Sequence, residues 1–172
     1  MQKRMLFIMH QTTSDPGRIG EAALAYGFEP VICRHSCGDP LPQTIDDYAA
    51  VILFGGPMSA NDDHLPAIRA ELDWLEMPLR EKKPFLGICL GAQMLARVLG
   101  GNVMHHERGL HEIGFYKVRA RPEGKNLFED EQYFYQWHSE GISLPLGNRE
   151  IKRLAASEYF DIQAFSVGNA YG

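Results

Sequence analysis

Short apolar runs alternate with amphipathic stretches through the first hundred residues. That alternation predicts an α/β fold, an open, mostly parallel sheet with helices on both faces. After Val103 the strand-like runs follow one another with only turns between them, which predicts an antiparallel extension of the same sheet. Length is the third observation: 172 residues, 45% hydrophobic and 23% charged, with no linker, repeat or low-complexity segment, fit a single domain over 1–172.

Residues 6–10 read as the first strand, an apolar run closed by the polar Gln11-Thr12-Thr13-Ser14-Asp15-Pro16-Gly17. A helix over 18–26 follows, with Ile19, Ala22, Ala23 and Tyr26 on one face and Gly27 as its stop. Residues 30–34 form a second strand, and 49–54 a third, whose uniformly apolar AAVILF suits burial on both faces. From Pro66, residues Ile68, Leu72, Leu75 and Leu79 recur at helical spacing. Pro78 interrupts that helix, because it lacks an amide donor and clashes one turn back. Residues 84–89 are a fourth strand and 90–99 the next helix, stopped by Gly100-Gly101. Beyond them, 113–120, 133–138, 151–156 and 163–167 read as strands, with a turn at 145–148.

Composition narrows the function. A net charge of −5 and a pI near 5.8 argue against a broad nucleic-acid-binding face. No apolar run approaches the ~18 residues of a membrane span. The N-terminal apolar stretch is five residues, short of the ~7–15 of a signal peptide. Three cysteines make no disulfide framework, and a reducing cytoplasmic location is expected. Cys33-x-His35-x-Cys37 lacks the second ligand pair of a structural zinc site and reads as a loop, and the pattern calls for no metal or cofactor. Gly17-Arg18-Ile19-Gly20 lacks dinucleotide-binding spacing, and no P-loop is present.

The chemistry concentrates at Gly87-Ile88-Cys89-Leu90-Gly91-Ala92-Gln93, where an apolar strand runs into a helix. Glycines two residues before and two after Cys89 fit a nucleophile elbow, with cysteine where other enzymes carry serine. Such a turn leaves no room for side chains at Gly87 and Gly91. It raises the sulfur at the carboxyl edge of the sheet, where open α/β sheets bind ligands. The helix N-terminus there favours an anion, which predicts a lowered Cys89 pKa. The Leu90 N–H is a candidate oxyanion donor.

This heptapeptide resembles the G-x-C-x-G-x-Q nucleophile motif of the class I, or triad-type, glutamine amidotransferases. Gly55-Gly56-Pro57 resembles their oxyanion loop, and Tyr135-Gln136-Trp137-His138-Ser139-Glu140 the loop that cradles substrate glutamine. The likeness spans nearly the whole chain and is nearest to free-standing members similar to the amidotransferase domain of GMP synthetase. It implies a flavodoxin-like three-layer fold and hydrolysis of the glutamine side-chain amide through a cysteine thioester, releasing ammonia to an acceptor. By the resemblance Cys89 is the nucleophile, and Gly56 N–H, preferred over Gly55 N–H, is the second oxyanion donor. Gln93, His138 and Ser139 contact substrate. The family's acid–base His and its Glu partner fall in a Phe-His-Pro-Glu strand expected after Gly172, toward which Asn169-Ala170-Tyr171-Gly172 leads. The 172 residues are thus expected to lack that strand.

Cys89, His138 and Glu140 also invite a triad within the chain, but the resemblance assigns His138 to substrate binding. No synthase domain is fused here, so a separate ammonia-accepting synthase partner is expected. The competing functions are a γ-glutamyl amide or peptide hydrolase on the same scaffold and a non-catalytic binding module.

Overall fold

Two strands of the parallel sheet show why its faces need separate covers. In β1 (Lys3–Ile8), Leu6 and Ile8 point to one side and Phe7 to the other; in β3 (Tyr48–Leu53), Val51 and Leu53 oppose Ile52 in the same way. Both sides are apolar, so both must be buried. The computed structural model describes residues 3–145, 147–148 and 150–172, and in it α1 (Gly17–Ala25) covers the Phe7–Ile52 side through Ala23 and Ile19. The larger core on the opposite side is built with α2 (Pro66–Trp74), α3 (Glu76–Arg80) and α4 (Leu90–Val98).

β2 (Phe28–Cys33), β1, β3, β4 (Phe85–Gly87) and β11 (Ala170–Tyr171) run parallel and adjacent in that order. The sheet then continues through β10 (Ala164–Val167), β9 (Ile151–Ala156), β6 (Glu112–Ala120) and β7 (Glu131–His138), each antiparallel to its neighbour. The expected fold class and antiparallel extension are both present. Two features add to the expectation: a separate antiparallel ribbon, β5 (Asn102–His105) with β8 (Glu140–Ser143), and the strand β11. These elements are two to four residues long, too short for a hydrophobic period to register.

Several boundaries move. The first strand occupies Lys3–Ile8 rather than 6–10, which leaves His10 in the loop beyond it. The second occupies Phe28–Cys33 rather than 30–34, and the fourth only Phe85–Gly87 rather than 84–89, because the backbone turns before Cys89. The first helix and the third strand each shift by one residue, to Gly17–Ala25 and Tyr48–Leu53. The break imposed by Pro78 falls four residues upstream of it, where α2 ends at Trp74. That is the residue whose carbonyl a proline at 78 cannot bond. Pro78 itself lies buried within α3. The turn at 145–148 falls partly on residue 146, outside the described residues. No helix among the described residues is long and apolar enough to cross a membrane.

Candidate active site

Strand β4 ends at Gly87, and after two intervening residues the backbone enters α4. Cys89 caps that helix with φ 52° and ψ −108°, a left-handed conformation that costs a side-chain-bearing residue on the order of 1–3 kcal/mol. The packing around it enforces the strain. A Cβ on Gly87 would lie 2.6 Å from the Gly91 carbonyl and 2.7 Å from the Ala92 nitrogen. A Cβ on Gly91 would overlap the Leu53 carbonyl oxygen at the end of β3. Both flanking glycines are therefore required by close backbone approach, as the sequence predicts.

Two backbone segments flank Cys89. The Leu90 N–H at the start of α4 faces the Cys89 thiol and acts to lower its pKa. The loop after β3 passes over it, so that a Cβ on Gly55 would sit 3.3 Å from Cys89 Cβ and 3.8 Å from Sγ. Gly56 lines the same depression as Cys89. Among the described residues no acceptor takes the Gly56 amide hydrogen. Cys89 is an exposed residue, yet it sits between the walls of the clefts that desolvate its thiol.

Its thiol is not activated as the helix terminus alone would suggest. Burial by the surrounding walls pushes the Cys89 pKa up, and the neighbouring Glu140 carboxylate pushes it further; the Leu90 hydrogen bond opposes them but does not prevail. The expected lowering is thus corrected to a raised value. The helix-terminus effect is present, and desolvation outweighs it.

Two clefts meet at this point, both lined by Cys89, Gln93, Trp137, His138 and Glu140. One, of about 420 Å³, is walled by apolar and aromatic side chains including Val118, Phe128, Phe134 and Ile162. The other, of about 640 Å³, carries Ser59, Asp62, His105 and Ser139 together with Gly56. A sulfur between an apolar limb and a polar limb is placed to meet a carbonyl on a chain whose far end is polar.

Gln93 is buried one turn into α4 and donates through Nε2 to the Glu140 carbonyl at 3.3 Å. It is therefore no solvated helix position. His138 has both ring nitrogens occupied: Nδ1 lies 3.1 Å from the Glu140 carbonyl, and Nε2 lies 3.1 Å from Glu112 Oε2. A carbonyl only accepts, so Nδ1 carries hydrogen, and the Nε2–carboxylate contact shares a proton as well. Neither nitrogen is free to take a proton from Cys89. Burial pushes the Glu112 carboxyl up, but hydrogen bonds from His138, Ser157 and Gln163 and the His138 charge together hold it below its ordinary value. Ser139 lines the polar cleft, and its carbonyl lies 3.4 Å from His105 Nδ1. The Cys33 and Cys37 thiols turn to separate carbonyls, those of Pro40 and His10.

Sequence reasoning did not single out Ser59, which donates to the Glu140 carboxylate at 2.9 Å, or the buried His10–Glu71 pair beneath the Gly55-Gly56 loop. Each comes from a different segment of the chain, and no local pattern marks it.

Comparison with known proteins bears on the family and the fold. Residues 19–166 match the family model described as glutamine amidotransferase class-I. The glutamine amidotransferase-like protein YfeJ of Salmonella typhimurium is 27% identical over 98% of this chain and 73% of its own. A glutamine-hydrolyzing GMP synthase subunit from Sulfurisphaera tokodaii is 37% identical over 71% of this chain, and the match spans 62% of that protein. A crystal structure of a glutamine amidotransferase from Thermotoga maritima superposes with a TM-score of 0.90 at 33% identity, over all of this chain and 74% of that one.

Proposed function

The chain belongs to the class-I glutamine amidotransferase family, and on that premise we propose that it hydrolyses the side-chain amide of glutamine through Cys89 to release ammonia. The observation that carries this reading is the strained, exposed Cys89 held between the Leu90 amide and the Gly55-Gly56 loop. The Cys89 sulfur attacks the amide carbon, forming a C–S bond, and the carbonyl oxygen becomes an oxyanion. Leu90 N–H and Gly56 N–H receive that charge; donors of this kind act at ~2.7–3.1 Å. The C–N bond then breaks, the leaving nitrogen takes a proton as ammonia, and water cleaves the thioester to glutamate. Gln93, His138 and Ser139 line the polar limb, where the amino-acid end of the substrate sits.

A thiol whose pKa is raised needs a base. His138 does not supply it, because both of its ring nitrogens are engaged by Glu140 and Glu112. The ammonia is delivered to a separate synthase, in keeping with a relative named as one subunit of a GMP synthase.

The test is ammonia release from glutamine by the full-length protein and by its Cys89→Ala variant. Release that disappears in the variant is the expected result; undiminished release discards the assignment.

A further inference from the structure

Beneath the Gly55-Gly56 loop lies a buried ion-pairing couple that the proposed chemistry leaves without a task. His10 follows β1, and its Nε2 lies 2.8 Å from Oε2 of Glu71 on α2, with both side chains withdrawn from solvent. The His10 Nδ1 lies 3.0 Å from the Gly55 carbonyl oxygen. Among the described residues, the second Glu71 oxygen has no partner. A buried carboxylate with one oxygen unsatisfied is costly, and something must hold it there.

The hydrogen-bond logic fixes the protons. The Gly55 carbonyl can only accept, so His10 Nδ1 carries hydrogen. The Nε2–Glu71 contact then holds one further proton, on either partner, and the couple is neutral overall. The Gly55 carbonyl thus requires hydrogen on His10 Nδ1, and Glu71 anchors the ring at its opposite nitrogen. A trans peptide carries its C=O and N–H on opposite sides. Fixing the Gly55 carbonyl toward His10 therefore turns the Gly56 N–H away from His10. His10 also acts as a backstop: a Cβ on Gly56 would lie 2.9 Å from His10 Cβ and Cγ and 3.0 Å from Leu90 Cδ2.

We propose that His10, held by Glu71, is the positioning residue that aims the Gly56 amide at the depression over Cys89. This rests on the glutaminase reading above and deepens it. The oxyanion loop is clamped from α2, an element that contributes no other group to the site. Without the clamp, the Gly55-Gly56 peptide is free to rotate, and the second donor no longer points where charge develops.

The experiment compares full-length wild type with His10→Phe, Glu71→Gln and Glu71→Leu, measuring kcat and KM for glutamine and the rate of Cys89 alkylation by iodoacetamide. Alkylation proceeds by displacement at a saturated carbon and uses no oxyanion donor. His10→Phe and Glu71→Leu should lower kcat about 10- to 100-fold while KM stays within about twofold. Their alkylation rates should match wild type. Glu71→Gln, whose amide still donates to His10 Nε2, should stay within about threefold of wild-type kcat. If His10→Phe does not fold, the Glu71→Gln and Glu71→Leu pair makes the same comparison. A kcat within twofold of wild type in His10→Phe or Glu71→Leu overturns the clamp, and so does alkylation falling in step with kcat. Wild type that releases no Cys89-dependent ammonia overturns the glutaminase reading and the clamp together; active wild type with unaffected variants overturns the clamp alone.

Discussion

Replacing Gly56 with alanine tests the oxyanion loop at its tightest point. The new Cβ would face His10 Cβ and Cγ at 2.9 Å and Leu90 Cδ2 at 3.0 Å. Ordinary carbon contacts begin near ~3.5 Å, so one side must yield by about half an ångström. His10 is held at both ring nitrogens, and Leu90 is fully buried in the core. The Gly55-Gly56 loop is the freer partner, and it moves. The productive window for an oxyanion donor is only ~2.7–3.1 Å, so a shift of that size carries the Gly56 amide out of it, and kcat should fall about 10²- to 10³-fold, or roughly 3–4 kcal/mol of barrier. Steady-state ammonia release measured beside thermal melting separates this from unfolding. Gly55→Ala supplies the comparison, because its Cβ would meet Cys89 Cβ at a more tolerable 3.3 Å, and its loss should be smaller. A Gly56→Ala protein that folds and keeps kcat within a few-fold of wild type would refute the role given to this loop.

Other outcomes follow from the same geometry. Because burial and Glu140 raise the Cys89 pKa, the rate of iodoacetamide alkylation should climb with pH through a midpoint above that of free cysteine, and Glu140→Gln should move the midpoint down; a wild-type midpoint below the free value contradicts the electrostatics. Gly91→Ala places a Cβ on the Leu53 carbonyl oxygen and should destabilise the fold by about 3 kcal/mol, lowering Tm by roughly 6–12 °C by calorimetry. The Glu112 carboxyl is depressed in the folded state, so its contribution is complete above the ordinary glutamate range and is lost as pH falls through the depressed value. Glu112→Gln should therefore flatten the acid limb of a denaturant-midpoint profile against pH, whereas an unchanged slope would show that His138 does not stabilise the ionised form.

The elbow was legible because its cause is local. Gly87 and Gly91 are close in sequence to the residue they accommodate, and the contacts that demand them, Gly87 to Gly91 and Gly91 to Leu53, act on backbone that any side chain would strike. The parallel strands up to β4 were legible for a similar reason, since each apolar run in 49–54 or 84–89 declares itself without help from its neighbours. The Cys89 pKa was misjudged because a helix terminus is written in the local sequence while desolvation is not: the walls come from residues as distant as Trp137 and Glu140. His10 escaped notice in the same way. It stands at the end of an apolar run, where nothing nearby distinguishes it, and its partners lie 45 and 61 residues away. The ribbon of β5 and β8 has one buried hydrophobic residue in its first strand and half-buried residues throughout its second, too little contrast for a period to emerge.

Leu53 ties the two oxyanion donors to a common origin. Its carbonyl accepts from Ile88 N–H at 2.9 Å, and the backbone of Gly91 presses against the same oxygen. One residue beyond Leu53 the chain leaves β3 for Phe54, Gly55 and Gly56. The start of α4, which supplies the Leu90 amide, and the loop that supplies the Gly56 amide are thus both referenced to the last residue of β3, through the pairing of Leu53 with Gly87. A change in the β3–β4 register would displace both donors together with the sulfur, whereas a change in the His10–Glu71 couple would displace Gly56 alone. Substitutions at the strand junction should therefore cost stability and activity in proportion, while those at the couple should cost activity out of proportion to stability. That difference in slope distinguishes a site merely carried by its fold from one that is also actively held.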